Sequence, residues 1–256
     1  MATMLDLPLV FLHAFPLDSR MWNGIREPLS RRARLITPDQ RGLGRTPLPA
    51  TTREPSLDDA ARDLVALLDK LELERVVVGG CSMGGYVALA LLRSAPERVG
   101  GLVLIDTKAS ADKPEAAENR HALAKRADEE GIEGWLAGQM LPNLLAGSTL
   151  ESRPDVTETV RDLIESQPPA GIAWAARAMA ARPDSAELLR GADVPALVLV
   201  GEHDNLTPHA EASAMAEALS NADLVTIEGA GHLTPLERPD AVSGAILDWL
   251  GRAPTR

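Results

Sequence analysis

Cysteine is nearly absent: Cys81 is the only one among 256 residues. A single thiol forms no internal disulfide, which suits a reducing compartment and sets the expectation of a cytoplasmic location. Aromatic residues are scarce as well, at 3%. The core must therefore rest on Leu, Val, Ile and Ala. No apolar run approaches the ~18–20 residues needed to cross a bilayer, so no membrane partner is expected. Met1–Pro8 holds Asp6 and lacks a basic start followed by a long apolar stretch, and does not read as a signal peptide. Basic residues are outnumbered, 26 against 37 acidic, for a net charge of −11. Such a surface repels phosphate backbones, and without a basic stripe nucleic acid is not an expected partner. The sequence has no G-x-x-x-x-G-K-[ST] and no G-x-G-x-x-G opening a helix, so nothing calls for a nucleotide. It has no H-E-x-x-H and no cysteine pair, and His203 and His209 stand apart on a loop; neither a metal nor another cofactor is expected.

The chain is long enough for one large domain with a well-buried core. Short apolar runs recur at Leu9–His13, Ala33–Thr37, Arg75–Val78, Gly101–Ile105, Ala196–Val200 and Asp223–Ile227. Runs this short and this rich in Val, Ile and Leu suit strands buried on both faces. Helical patterns separate most of them. Ser56–Leu71 has an N-cap candidate in Ser56, a carboxylate at Asp59 and apolar residues at Leu57, Ala60, Leu64, Leu67 and Leu68. Met83–Arg93 and Pro239–Leu250 also read as helices. This alternation predicts a parallel sheet with helices on its faces. It breaks between about Lys108 and Gly191, where prolines punctuate an Ala-, Leu-, Glu- and Arg-rich stretch. That stretch reads as several short helices inserted between two strands. The expected division is a core of residues 1–107 and 192–256 and a helical cap of residues 108–191.

Gly80-Cys81-Ser82-Met83-Gly84 matches G-x-S-x-G, the pattern of a nucleophile elbow. Three fixed positions of common residues arise by chance in roughly one chain in ten of this length, so the setting must carry the reading. A strand precedes the motif and a helix, Tyr86 to Ala90, follows it. The glycines let backbone approach closely around a strained serine. A serine hydroxyl is a weak nucleophile and needs a base. Among His13, His121, His203, His209 and His232, the last lies in a loop after the final strand and can reach over the sheet. His13 is read as ordering its own loop. A carboxylate must fix the base's tautomer. Asp204 follows the strand Ala196–Val200 and is the better candidate; Asp106 is the rival and Glu202 the weakest. Two backbone N–H groups should face the developing oxyanion. Met83 supplies one, and Phe15, in the loop after the first strand, is the choice for the other. The four tryptophans read as core, although Trp135, Trp174, Met140 and Met179 fall in the insert and are candidates to line an acyl pocket.

With these segments in place, the chain resembles the α/β-hydrolase superfamily over nearly its whole length. It is similar to small serine carboxylesterases and 3-oxoadipate enol-lactonase-like members. The segments that carry this are Leu12–Pro16, Pro38–Thr46, the elbow, Gly201–Pro208 and Gly229–Pro239. The resemblance implies a structural role for the Asp39, Arg41, Gly42 and Gly44 loop, as a turn pinned by charge. Two departures stand out. Ala14 occupies a position usually held by glycine. The first strand starts near Pro8, leaving no room for the usual antiparallel hairpin. A shortened, mostly or wholly parallel sheet of about six strands is expected, with its N-terminal-side edge exposed or covered by a partner chain.

The implied activity is hydrolysis of small-molecule carboxylic esters or lactones through Ser82, His232 and Asp204 and an acyl-enzyme. Cofactor-free haloperoxidase or perhydrolase chemistry and carbon–carbon bond hydrolysis use the same triad. A ligand sensor on the same scaffold is the rival outside enzymology. The chain is expected to act as a monomer or homodimer.

Overall fold

The computed structural model describes residues 7–50 and 53–252. The reading of the N-terminal residues as no signal peptide therefore falls mostly outside the described residues. Six strands form one sheet in the order β2-β1-β3-β4-β5-β6. They are β1 (Leu9–Leu12), β2 (Leu35–Ile36), β3 (Val76–Cys81), β4 (Val99–Ile105), β5 (Ala196–Gly201) and β6 (Ala222–Ile227). Every pairing is parallel. The expected α/β-hydrolase sheet without an antiparallel hairpin is thus what the chain forms among its described residues. Every residue of β1, β3, β4 and β5 is buried, which is why these strands read as unbroken apolar runs. The edges differ. β6 is mostly half-buried, and β2 is only two residues long. A very short edge offers few unpaired backbone groups to another chain.

Helices flank the sheet. α1 spans Asn23–Ser30, α2 Leu57–Lys70, α3 Met83–Ser94, α10 His209–Ala218, α11 Thr234–Glu237 and α12 Pro239–Arg252. Ser56 caps α2: its backbone is extended and its side chain accepts from the Asp58 N–H. Asp59 does not reach back to close a capping box; its buried carboxylate pairs with Arg62 and Arg53 instead. The face of Leu57, Ala60, Ala61, Leu64 and Leu68 turns inward. Positions 83–92 of α3 are all buried, so this helix has no polar face.

β3 is longer than the apolar run Arg75–Val78 suggests. It starts at Val76 and continues through Gly79, Gly80 and Cys81. The two glycines read as turn residues, yet they pair with Phe11 and Leu12 on one side and with Val103 and Leu104 on the other. Close packing explains them. A β-carbon on Gly79 would stand 2.6 Å from the Phe11 ring. One on Gly80 would stand 2.1 Å from the Gly84 carbonyl carbon, and one on Gly84 2.0 Å from the Leu12 carbonyl oxygen.

Between β4 and β5 the described residues form only helices: α4 (Pro114–Glu130), α5 (Leu136–Leu144), α6 (Gly147–Ser152), α7 (Pro154–Glu165), α8 (Pro169–Ala180) and α9 (Ala186–Arg190). Prolines open α4, α7 and α8, where a missing N–H costs nothing. This segment is tied to the sheet's loops at named points. Gly171 lies against the Gly42 backbone. Gln167 donates to Asp18 at 2.8 Å and accepts from the Gly44 N–H at 2.8 Å.

Two glycine substitutions separate packing from flexibility. Gly84→Ala should cost about 3 kcal/mol or more, because the Leu12 backbone has nowhere to go. Gly244 sits in α12, and a β-carbon added there would meet nothing within 4 Å. Gly244→Ala should stabilise by about 0.5–1 kcal/mol. Urea unfolding of both variants against the wild type reads the two signs.

Candidate active site

The end of β3 throws Ser82 into a conformation few side chains adopt, φ 52° and ψ −113°. Such a residue costs about 1–3 kcal/mol and persists only where its surroundings hold it. Bonds to its own backbone hold this one, including one from the Tyr86 N–H to its carbonyl at 3.3 Å. The Ser82 N–H donates to the Ile105 carbonyl at 2.9 Å. The Ser82 carbonyl accepts from the Thr107 hydroxyl at 2.8 Å and from the Gly85 N–H at 3.0 Å.

The hydroxyl meets His232. Ser82 Oγ and His232 Nε2 are 2.8 Å apart, and His232 Nδ1 stands 2.8 Å from Asp204 Oδ2. His232 arrives on the loop between β6 and α11, and Asp204 on the loop after β5. All three residues are buried. The Asp204 carboxylate is fully engaged. Oδ1 accepts from the Leu206 and Thr207 N–H groups at 2.8 and 2.9 Å. Oδ2 also accepts from the Thr207 hydroxyl at 2.6 Å. Burial works against its charge, but His232 and Thr207 outweigh it and hold the carboxyl below its ordinary range. A carboxylate that stays ionised beside Nδ1 keeps the Nδ1–H tautomer, leaving Nε2 free to accept from Ser82.

Asp106, the rival acid, makes no hydrogen bond or ion pair with His232 among the described residues. Its Oδ1 accepts from the Gly201 N–H at 3.0 Å. Its Oδ2 accepts from the Thr234 N–H and hydroxyl at 2.9 and 2.7 Å. Complete burial, reinforced by the nearby Asp204 charge, pushes its carboxyl well above the ordinary range. Asp106 fastens β5 to the loop that carries His232. Glu202 faces outward and accepts from the Gly229 N–H at 2.9 Å.

The two proposed oxyanion donors are free. Among the described residues, no protein acceptor takes the N–H of Phe15 or of Met83. The Ala14 N–H, by contrast, is spent on Met21 Sδ at 3.1 Å. His13 is fully buried behind this loop. Its Nε2 accepts from the Gln40 N–H at 2.9 Å, and Nδ1 faces the Ala14 carbonyl at 3.0 Å. The Gln40 side chain returns a bond to the His13 carbonyl at 2.7 Å. His13 is thus a strut between two loops. The neighbouring turn is pinned by charge: Asp39 accepts from the Ser19 N–H at 2.9 Å and the Arg45 N–H at 3.0 Å. Burial opposes ionisation there, yet those bonds bring the Asp39 carboxyl down to about 2. Arg41 forks onto Asp63 with two bonds of 2.7 Å.

A cavity of about 210 Å³ opens above Ser82 and His232. Phe15, Tyr86, Leu144 and Leu206 give it an apolar lining, with Met140 and Met179 from the inserted helices. Trp135 and Trp174 do not line it. Trp135 donates to the Gly131 carbonyl at 2.9 Å under Arg126, and Trp174 is buried beside Arg41. Trp22 and Trp249 are core. His203 stays on the surface loop, but His209, expected on the same loop, is the first residue of α10 and pairs with Ser213 one turn on. Among the described residues no cluster of His, Cys, Asp or Glu could hold a metal. No helix among them is long and apolar enough to cross a membrane.

Several contributors left no sequence signal. Thr207, Thr107 and Thr234 are ordinary residues until the fold places their hydroxyls. Glu237 is similar: it accepts from the Ala146 and Gly231 N–H groups at 2.9 and 2.7 Å, joining the inserted segment to the His232 loop.

Residues 8–239 match the alpha/beta hydrolase fold family. The chain belongs to that family. Among curated relatives, a non-heme chloroperoxidase of Streptomyces lividans is 31% identical, over 95% of this chain and 91% of its own length. The 3-oxoadipate enol-lactonase 2 of Acinetobacter baylyi is 25% identical, over 93% and 86%. Among solved structures, a thermophilic esterase from Thermogutta terrifontis superposes with a TM-score of 0.92 at 44% identity, covering 96% of this chain and 90% of its own. The enol-lactonase from Burkholderia xenovorans LB400 follows with 0.88 at 29% identity, over 96% and 92%. By fold and relatives this alpha/beta hydrolase family member is a hydrolase.

The buried His13 makes stability depend on pH. Burial lowers its pKa below the ordinary 6.5, outweighing the Ala14 carbonyl. Below about pH 6.5 the unfolded chain takes up a proton that the native chain still refuses. Stability should therefore fall as pH drops through that value and on toward the depressed one. Urea midpoints at pH 7.5 and 5.5 test this. His13→Asn should lose about 1–3 kcal/mol at pH 7.5 and show a shallower pH dependence.

Proposed function

We propose that this hydrolase cleaves small carboxylic esters or lactones, with Ser82 as nucleophile, His232 as general base and acid, and Asp204 as its orienting carboxylate. The observation that carries this is one imidazole bridging a strained serine and a buried carboxylate at 2.8 Å on each side. His232 takes the Ser82 proton as Oγ attacks the carbonyl carbon. The N–H groups of Phe15 and Met83 receive the developing oxyanion, and their lack of another acceptor supports that role. His232 then protonates the leaving alcohol. Water, deprotonated by the same imidazole, attacks the acyl-enzyme and releases the acid. The positive end of α3 lies at the same place and favours the charge that builds there.

The cavity argues for small substrates. At about 210 Å³ it falls below the ~300–1,000 Å³ typical of sites for drug-sized ligands. A second reading draws on the chloroperoxidase relative: hydrogen peroxide replaces water at the acyl-enzyme and leaves with the acyl group as a peracid. Esterase, lactonase and perhydrolase share every residue up to that step.

A panel of p-nitrophenyl esters and lactones tests the proposal. kcat/KM should favour acetyl and butyryl over decanoyl esters by tenfold or more. Ser82→Ala should remove about 10⁴-fold or more of kcat while leaving the melting temperature within a few degrees. Equal turnover by wild type and Ser82→Ala would overturn the assignment. Asp204→Asn should lose about 10⁴-fold. Asp106→Asn should stay within tenfold in kcat and act mainly on stability. Peroxide-dependent halogenation of a dye in the presence of acetate and bromide separates the second reading.

A further inference from the structure

One wall of the cavity is not apolar. Lys108, on the loop after β4, and Arg120, on α4, both line it. Among the lining residues the one acid is Asp112. Arg182 stands behind that acid. Three cations thus surround one carboxylate, in a chain whose overall charge is −11. Asp204, the other ionised carboxylate near Tyr86, is consumed by His232 and Thr207.

The three cations are not equivalent. Arg182 is satisfied: it donates to the Met179 and Ser110 carbonyls at 2.9 Å each and to Asp112 at 3.0 Å, and it stacks 4.0 Å above the Tyr86 ring. Its task is to fix Asp112, whose side chain is buried and whose carboxyl lies far below the ordinary range. Burial alone would raise it; Arg182 and Arg120 outweigh burial. Arg120 is only half satisfied. Its Nε donates to Asp112 at 2.5 Å, but among the described residues its terminal nitrogens meet only Met179 Sδ at 3.4 Å, a weak acceptor. Lys108 has less still: one ion pair of 3.4 Å with Asp112 and no hydrogen bond among the described residues. Its side chain is only 18% exposed and that of Arg120 25%, so water reaches neither freely.

Two largely desolvated cations, sharing one carboxylate at the wall of a small reaction cavity, keep donors that a ligand can meet. We infer that Lys108 and Arg120 form an anion subsite for a free carboxylate on the substrate, so that the preferred ester or lactone is itself an anion. This rests on the hydrolase reading above. A planar guanidinium and an ammonium both bind a carboxylate by charge-assisted hydrogen bonds, which are strong away from water. The same excess charge draws an anion toward an otherwise acidic protein. A neutral ester leaves these donors unmet, and an unpaired buried polar group is penalised.

Matched esters test the subsite. Monomethyl glutarate carries the carboxylate on the acyl side and acetoxyacetate carries it on the alcohol side. Dimethyl glutarate and methyl acetoxyacetate are their neutral counterparts. By pH-stat titration, kcat/KM should favour at least one anion over its neutral counterpart by tenfold or more, chiefly through KM. Sodium chloride at high concentration should narrow that preference. In Arg120→Gln the ratio of anionic to neutral kcat/KM should fall toward one; Asp112 keeps its bonds to Arg182 there, so the fold has support. Lys108→Gln should act in the same direction, and Lys108→Arg should restore the preference. A wild type that prefers the neutral esters, or variants that leave the ratio unchanged, would overturn the subsite while leaving the hydrolase reading intact. If no ester of either kind turns over, the hydrolase reading falls. The subsite is then judged by glutarate binding in calorimetry. Binding that weakens tenfold in Arg120→Gln sustains it, and no binding to the wild type ends it.

Discussion

Backbone rests directly on backbone where the elbow and the histidine loop leave this sheet, and the site depends on that contact. The elbow is one case, with Gly84 against the Leu12 carbonyl and Gly80 against Gly84. The histidine loop is the second: a β-carbon on Gly201, at the end of β5, would stand 2.0 Å from the Gly231 carbonyl oxygen. Gly231 in turn touches the Ala146 N–H from the inserted helices. Side chains at these positions would push the loops apart by more than a hydrogen bond tolerates. Without them, Ser82, His232 and Asp204 converge to bonding distance from three different strand ends. The strain at Ser82 is held by the same arrangement, through bonds to Ile105, Thr107 and Gly85.

Buried carboxylates do the remaining positioning, and surroundings decide what each one is. Asp204 and Asp106 lie close enough to feel one another. Asp204 stays charged because His232 and two donors from Thr207 accompany it. Asp106 is driven toward its neutral form by burial, and it serves as a clamp on Gly201 and Thr234. Asp112, in the cavity lining, is held ionised by the guanidinium groups of Arg182 and Arg120. Three chemically identical side chains thus meet an imidazole, fasten a loop and organise a cationic wall. Proton affinity follows neighbours more than residue type.

Much of this is legible in the residues, and the limits have specific causes. The strands β1, β4 and β5 show as apolar runs because both of their faces are buried. β3 looks shorter in the sequence than it is because its last residues include two glycines, whose local preference is for turns. Only the Phe11 ring, packed above Gly79 from the neighbouring strand, makes glycine the right strand residue there. The capping box at Ser56 forms only in half: the serine caps, but Asp59 has arginine partners from elsewhere in space. Met140 and Met179 reach the cavity while Trp135 and Trp174 do not. Helical register within the insert does not distinguish them, because several helices pack on one another before any faces the site.

The order of Ser82, Asp204 and His232 along the chain, each just beyond an apolar run, already specified an alpha/beta hydrolase, since motif spacing and strand periodicity are local properties written in the residues. Tertiary structure alone decided the rest. It chose Asp204 over Asp106, because only distance in space tells which carboxylate meets the imidazole. It brought Lys108, Arg120 and Arg182 around Asp112 from positions 74 residues apart at the extremes. Desolvation and electrostatics depend on what surrounds a charge in three dimensions, and no spacing along the chain records that.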